Sequence, residues 1–360
     1  MNFGSDNIAG VAPEIMAAIE RVNNGVAAPY GGDGTSGALD EVYSNLFEAR
    51  VRVFPVATGT AANALALAML CPPYGSVYCH AMSHIATDEA GAPEFYTGGG
   101  KLMLVEGNAA KISADGLEAT LETEVERFPH SVKRAALSLS QATEAGTVYT
   151  PDEVGALNEV GQARGLRLHM DGARLANAVA QLGCTPADVT WRAGVEVLSF
   201  GATKNGALAA EAVVFFEGSK FAAEDFEAFA WRRKRAGHLF SKMRFAAAQL
   251  EAMATDDLWL RLAGNANRMA ARLAAGLTEI PGVSLAYPRQ ANELFIVLGE
   301  KLAQRIEQAD VGAHRWNTGA PVIMRLVCAF NTPQADVNGF VQMVRDFAAG
   351  ENAPHNDETC

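Results

Sequence analysis

The sequence predicts an α/β fold: a mainly parallel, seven-stranded sheet with helices on both faces, followed by a smaller C-terminal α+β unit. Three observations predict it. Seven short apolar runs alternate with helical patterns through the first two thirds of the 360 residues, and unbroken apolar runs mark strands buried on both faces. From 221 onward the pattern becomes helical and then returns to short strands. A composition of 49% hydrophobic and 19% charged residues supplies a large core.

The elements follow in order. Residues 52–57 read as the first strand and 61–70 as the helix after it. Further strands are expected over 76–79, 101–105, 135–139, 166–170, 195–200 and 212–216. Thr150-Pro151-Asp152-Glu153 is a capping box with proline at the first helical position, so a helix starts there. Residues 221–275 read as two or three helices in series, with Gly276 as the stop of the last. Short strands near 283–287, 293–298 and 322–327 precede a closing helix over 335–348. This divides the chain into a large unit over 12–250, a small unit over 251–350 and a polar, frayed tail over 351–360.

With 29 Lys and Arg against 41 Asp and Glu, the net charge is −12, which disfavours nucleic acid and anionic membranes as partners. The longest clean apolar run, 64–71, is too short to span a bilayer. The N-terminus lacks a charged-then-apolar signal pattern. Cys71, Cys79, Cys184, Cys328 and Cys360 are scattered, odd in number and without a CxxC pair, which suggests reduced thiols in a cytoplasm. The histidines show no metal-binding spacing, so no metal is expected.

Gly32-Asp33-Gly34-Thr35-Ser36-Gly37 matches GxGxxG, but loop chemistry precedes it and no acid ends the following strand. A dinucleotide site needs both, so the segment is read as a glycine-rich loop opening a helix.

Chemistry concentrates where strands end. Thr58-Gly59-Thr60-Ala61-Ala62-Asn63 joins a strand to a helix start, whose free N–H groups suit a phosphate; a plain threonine-capped turn is the other reading. His169-Met170-Asp171-Gly172-Ala173-Arg174 ends a strand with an acid, a glycine and a cation, the acid pointing into the ligand crevice or capping a helix. Phe200-Gly201-Ala202-Thr203-Lys204-Asn205-Gly206 presents a lysine among small residues between buried strands, a setting that suits imine chemistry better than a solvated loop tip. His84 follows the second strand, where a lone histidine is more often structural. Arg325 sits among apolar neighbours in a late strand and needs a carboxylate, from the protein or from a ligand. A phosphate cradle, an Asp for a pyridinium nitrogen, a Lys for an imine and two arginines for an amino-acid carboxylate together describe a pyridoxal phosphate site.

On these motifs, together with Ser83-His84 and Glu89-Ala90-Gly91, the chain resembles the threonine aldolases. These belong to the β-eliminating-lyase branch of the fold-type-I, aspartate aminotransferase-like pyridoxal phosphate enzymes. The likeness runs from Ser5-Asp6-Asn7 to the Arg325 strand and is nearest to the bacterial low-specificity members. It implies cleavage of L-threonine, L-allo-threonine and related β-hydroxy-α-amino acids to glycine and an aldehyde. β-Elimination or aryl-serine cleavage on the same fold is the alternative; a non-catalytic scaffold would not need Lys204, Asp171 and His84 at strand ends.

The resemblance also implies roles. Lys204 would carry the cofactor as an imine, and Asp171 would keep its ring nitrogen protonated. His84 would stack on the ring and take the β-hydroxyl proton, while Gly59, Thr60 and Thr203 would hold the phosphate. Ser5, within an N-terminal segment 1–11 that joins the site, would hold the substrate carboxylate with Arg174 and Arg325. A homodimer or homotetramer with sites at subunit interfaces is implied, and Tyr30 would reach a neighbour's site. One departure stands out. The family's Asn-Thr-His step is replaced by Ser140-Gln141-Ala142-Thr143-Glu144. That leaves His84 as the main base, with a water or Glu144 as alternatives, and weakens discrimination at the β-carbon.

Overall fold

A computed structural model describes residues 1–218 and 220–351. Seven strands form the main sheet: β1 (Val51–Val56), β2 (Gly75–His80), β3 (Lys101–Val105), β4 (Lys133–Ser140), β5 (Arg167–Gly172), β6 (Val197–Gly201) and β7 (Glu211–Phe216). Their order is β1-β7-β6-β5-β4-β2-β3. β7 runs antiparallel to both of its neighbours, and the remaining pairs are parallel.

The apolar runs exist because both faces are covered. Along β6 and β7, Leu198, Phe200, Val214 and Phe216 pack into one core, while Val197, Val213 and Phe215 pack into another on the opposite face. That alternation is the period-two geometry of a strand. The first core holds Tyr43 and Phe47 from the Gly34–Phe47 helix and Trp259. The second holds the Ala- and Leu-rich Gly59–Leu70 helix and Phe229. The glycine-rich loop does open a helix, with Asp33 accepting from Ser36 N, and the Thr150 capping box forms as expected.

A second, four-stranded antiparallel sheet is built from β8 (Ser284–Leu285), β9 (Glu293–Leu298), β10 (His314–Arg315) and β11 (Val322–Val327), in the order β10-β11-β9-β8. The Leu258–Thr278 helix links the two cores. Its Leu258, Trp259 and Ala263 belong to the first, and its Ala270, Leu273 and Leu277 to that of the small sheet. Phe3 is buried in this last core against Phe340, with ring centroids 5.0 Å apart.

Gly276 is not a helix stop. The helix runs through it to Thr278, and a Cβ at 276 would lie 2.8 Å from Val341 Cγ1. Glycine here serves the close approach of the Gln334–Glu351 helix. The strand expected over 283–287 shrinks to two residues, and neither β10 nor the Glu300–Gln308 helix was foreseen. Beyond Glu351, the tail expected over 351–360 lies outside the described residues. Among the described residues no helix is long and apolar enough to cross a membrane, and no group of His, Cys, Asp and Glu is placed to hold a metal.

Candidate active site

The site lies where β4, β5 and β6 end. Two glycines let their loops meet. A Cβ on Gly172 would lie 2.7 Å from Leu198 Cδ1, and one on Gly201 would lie 2.6 Å from Ala173 Cα, inside any permitted contact. The end of β6 therefore lies against the segment that follows Asp171.

Lys204 sits on the 3-10 turn Thr203–Asn205, and this turn is pinned from several sides. Ala202 N donates to Glu211 Oε2 at 2.8 Å, and Asn205 Nδ2 donates to the Trp259 carbonyl at 2.8 Å. Gly206, at φ +106, closes the turn in a conformation L side chains avoid. Burial pushes the Glu211 carboxyl up to about 7, against the hydrogen bonds it accepts and the Lys204 charge.

A small hollow of about 50 Å³ opens among these ends; Gly59, His84, Glu144, Asp171, Arg174 and Lys204 line it. It shares Gly59, His84 and Lys204 with a neighbouring hollow of about 260 Å³ that adds Thr60, Thr203 and Glu211. Thr58 caps the Gly59–Leu70 helix by accepting from Ala61 N through its hydroxyl. The N–H groups of Gly59 and Thr60 precede that bond and belong to the first turn, which has no acceptors within the helix. A Cβ on Gly59 would meet nothing within 4 Å, so its absence keeps the approach to these groups open.

Asp171 accepts from Ala173 N at 3.0 Å and from Asn63 Nδ2 at 2.8 Å. Asn63 Nδ2 also donates to Glu89 Oε1 at 2.8 Å, and that oxygen lies 2.8 Å from His84 Nδ1. A continuous chain thus runs Asp171–Asn63–Glu89–His84. The Glu89 bond raises the His84 pKa, outweighing burial. Glu89 is itself raised, chiefly by burial. Glu144 accepts from His84 N and from Ser140 Oγ, each at 2.7 Å, and burial pushes its carboxyl up to about 7.

Arg174 is held by Asp6 at 2.7 and 3.0 Å and by Glu293 at 2.9 Å. Burial opposes its charge, but these carboxylates keep its pKa above the usual value. Burial likewise works against ionised Asp6, which Arg174 pulls below the usual carboxylate range. Arg325 pairs with the same Glu293 oxygen and is not among the residues lining either hollow. Ser5 caps the short Asp6–Ile8 turn through Asn7 N. Tyr30 is half exposed beside Lys234, whose Nζ lies 4.6 Å from the ring centroid. The structure therefore gathers Lys204, Asp171, His84, Gly59 and Arg174 around one hollow, with Thr60 and Thr203 next to it. Asp6, Asn63, Glu211 and Glu293 carried no role in the sequence. Each is an acid or amide within or next to an identified motif or strand, a signal too common to select them.

A mainly parallel sheet with a lysine, an aspartate and a helix N-terminus at its strand ends defines the class of enzymes built around a bound aldehyde cofactor. Residues 2–301 match the β-eliminating lyase family, and the chain belongs to that family. Within it the chain is 46% identical over 299 residues to a low-specificity L-threonine aldolase of Pseudomonas aeruginosa, covering 83% of this chain and 84% of that protein. It is 40% identical over 346 residues to a low-specificity L-threonine aldolase of a Pseudomonas species, covering 95% and 96%. A solved structure of Leishmania major threonine aldolase superposes with a TM-score of 0.88 at 27% identity, covering 96% of this chain and 99% of that one.

Proposed function

We propose that this lyase cleaves L-threonine, L-allo-threonine and related β-hydroxy-α-amino acids to glycine and an aldehyde. The observation that carries the reading is the single hollow lined by Lys204, Asp171, His84 and Arg174. The named activities of the relatives support it.

Pyridoxal phosphate fits the residues present. The open approach at Gly59 and the first-turn N–H groups suit its phosphate, with Thr60 and Thr203 beside them. Asp171 is an ionisable partner for the ring nitrogen, and Lys204 is an amine for the aldehyde. When bound, the cofactor supplies the electron sink for a bond broken at Cα. The chain's own residues do the rest. Arg174 presents a fixed guanidinium to the substrate carboxylate and so sets which Cα bond is aimed for cleavage. Ser5, next to the Asp6 that holds Arg174, and Arg325, which shares Glu293 with Arg174, are assigned to the same carboxylate. His84 covers one side of the hollow, and His84 and Glu144 are the two candidates in it for moving the hydroxyl proton.

Product analysis tests the reading. Purified protein loaded with the cofactor should convert threonine to acetaldehyde and glycine; a keto acid with ammonia would make it an eliminase instead.

The exposed Tyr30 and Trp231, 50% and 70% accessible, support a homodimer or homotetramer in which the Tyr30 loop meets a neighbour. Sedimentation of the wild-type protein and a Tyr30→Ala variant checks this. Cys71, Cys79, Cys184 and Cys328 are free thiols, which supports a reducing, cytoplasmic setting.

A further inference from the structure

We propose that Glu144 takes the proton of the substrate's β-hydroxyl through Oε2, while His84 keeps its own proton throughout. This rests on the aldolase reading and assigns the base within it.

The two candidates differ in what already holds them. His84 Nδ1 is bonded to Glu89 Oε1 at 2.8 Å, and the Glu89 side chain is fully buried. A buried carboxylate on one ring nitrogen favours the doubly protonated ring. Burial opposes that preference, Asp171 adds to it, and Lys204 opposes it less; the net shift is upward. A ring whose second proton is held more tightly than usual is a better donor and a poorer acceptor.

Glu144 is arranged the other way. Its Oε1 is fixed by the His84 N–H and the Ser140 hydroxyl, which sets the plane of the carboxyl. Its Oε2 is buried and, among the described residues, takes no hydrogen bond. A buried polar atom without a partner is uncommon unless something arrives to pair with it. The loop that carries it is tied to the cofactor end of the site, because Gln141 N donates to the Asp171 carbonyl at 2.8 Å. Glu144 lines the hollow with Arg174 and Lys204.

The groups around it balance its acidity. Burial, and to a smaller degree Asp171 on β5, raise its pKa, while the bonds from Ser140 and His84 lower it. Glu144 in turn acts on Arg174, Cys79 and Tyr149, which face it from the surrounding elements. The result, about 7, is the range in which a carboxyl exchanges its proton most usefully. In the step, the proton leaves the β-oxygen for Oε2 and the O–H pair becomes the second bond of the aldehyde carbonyl. The Cα–Cβ pair stays with the glycine fragment, where a proton later joins it.

The test compares wild type, Glu144→Gln and His84→Asn in three ways. The first is the ratio of threonine cleavage to exchange of glycine's α-hydrogen in D2O, a reaction with no hydroxyl proton to move. In Glu144→Gln this ratio should fall about 100-fold or more, with KM for threonine little changed. The second is the pH profile of kcat. Glu144 is a base only when ionised, so cleavage should decline as pH falls through about 7, and this limb should be missing from Glu144→Gln. The third is infrared titration of the cofactor-free protein, where the wild-type minus Glu144→Gln difference spectrum should contain a protonated-carboxyl band that disappears near neutrality, the Glu211 band being common to both and cancelling. The proposal is overturned if Glu144→Gln keeps the wild-type ratio, or if the pH limb persists there and vanishes in His84→Asn. A wild-type protein that exchanges glycine but releases no aldehyde would instead remove the aldolase reading.

Discussion

Asn63 Nδ2 donates to Asp171 Oδ2 at 2.8 Å, and its second hydrogen goes to Glu89 Oε1 at the same distance. One amide therefore separates two buried carboxylates that would otherwise face each other. It also joins the aspartate assigned to the ring nitrogen to the partner of His84.

Asn63→Ala should lose both bonds without touching Lys204. A hydrogen bond to a charged group is worth about 1.5–3 kcal/mol, so cofactor affinity should fall roughly 10- to 100-fold. Asp171 and Glu89 would then repel, and the pH at which the visible band changes should move. Equilibrium dialysis against cofactor, followed by absorbance titration, measures both; unchanged affinity and band would remove Asn63 from the site.

Gly201→Ala and Gly276→Ala both insert a methyl group, at different cost. At 201 the new Cβ meets the Ala173 backbone at 2.6 Å, which cannot give way without moving the segment after Asp171. At 276 it meets the Val341 side chain at 2.8 Å, which can turn or shift with its helix. Overpacking costs about 1–3 kcal/mol, and Gly201→Ala should lie at the upper end and weaken cofactor binding as well. Gly276→Ala should lower Tm and leave binding alone. Thermal melts and absorbance titration separate the two.

Glu211 gives the stability of the cofactor-free protein a pH slope. Burial raises its carboxyl from 4.5 to about 7 in the folded state. The folded state thus holds this proton more tightly than the unfolded chain does. The stability it contributes is present in full below 4.5 and is lost as pH rises through about 7. The whole span is worth about 3 kcal/mol. Glu144 slopes in the same direction, so only the difference between wild type and Glu211→Gln reports on Glu211. Urea midpoints at about pH 5 and about pH 8 should differ less in the variant.

Arg174 and Arg325 share Glu293, but they should not be equivalent. Arg174→Ala leaves the buried carboxylates of Asp6 and Glu293 without this partner, a loss of about 3–5 kcal/mol. Arg325→Ala leaves Glu293 paired with Arg174, and about 1–2 kcal/mol is expected. If both arginines also hold substrate, KM for threonine should rise in each. Denaturation curves and KM values from the same preparations distinguish packing from substrate contact.

The sequence made visible whatever depends on neighbours along the chain. β3, β9 and β11 begin and end where their apolar runs do, because turn-forming residues such as Gly100, Gly299 and Pro321 bound the runs. The loops carrying Gly59, His84, Asp171 and Lys204 were legible because small or polar residues sit at strand ends. The pairings were not. Asp6 reaches Arg174 across 168 residues and Asn63 reaches Asp171 across 108, and no local pattern encodes such a choice. Gly276 was misread because a glycine that admits a neighbouring helix looks, in one dimension, like a glycine that ends its own. β10, at two exposed residues, has no period to detect.

The seat of Phe3 bears on how the molecule is made. Its backbone N–H donates to the Val311 carbonyl, its own carbonyl accepts from Val327 N, and its ring rests on Phe340. The segment around Phe3 thus has nowhere to dock until the chain through Phe340 has been translated. Asp6, three positions further on, cannot settle against Arg174 before then. The large sheet, translated earlier, must wait with its arginine unclamped by Asp6, and the hollow takes its final form only after the small sheet has folded.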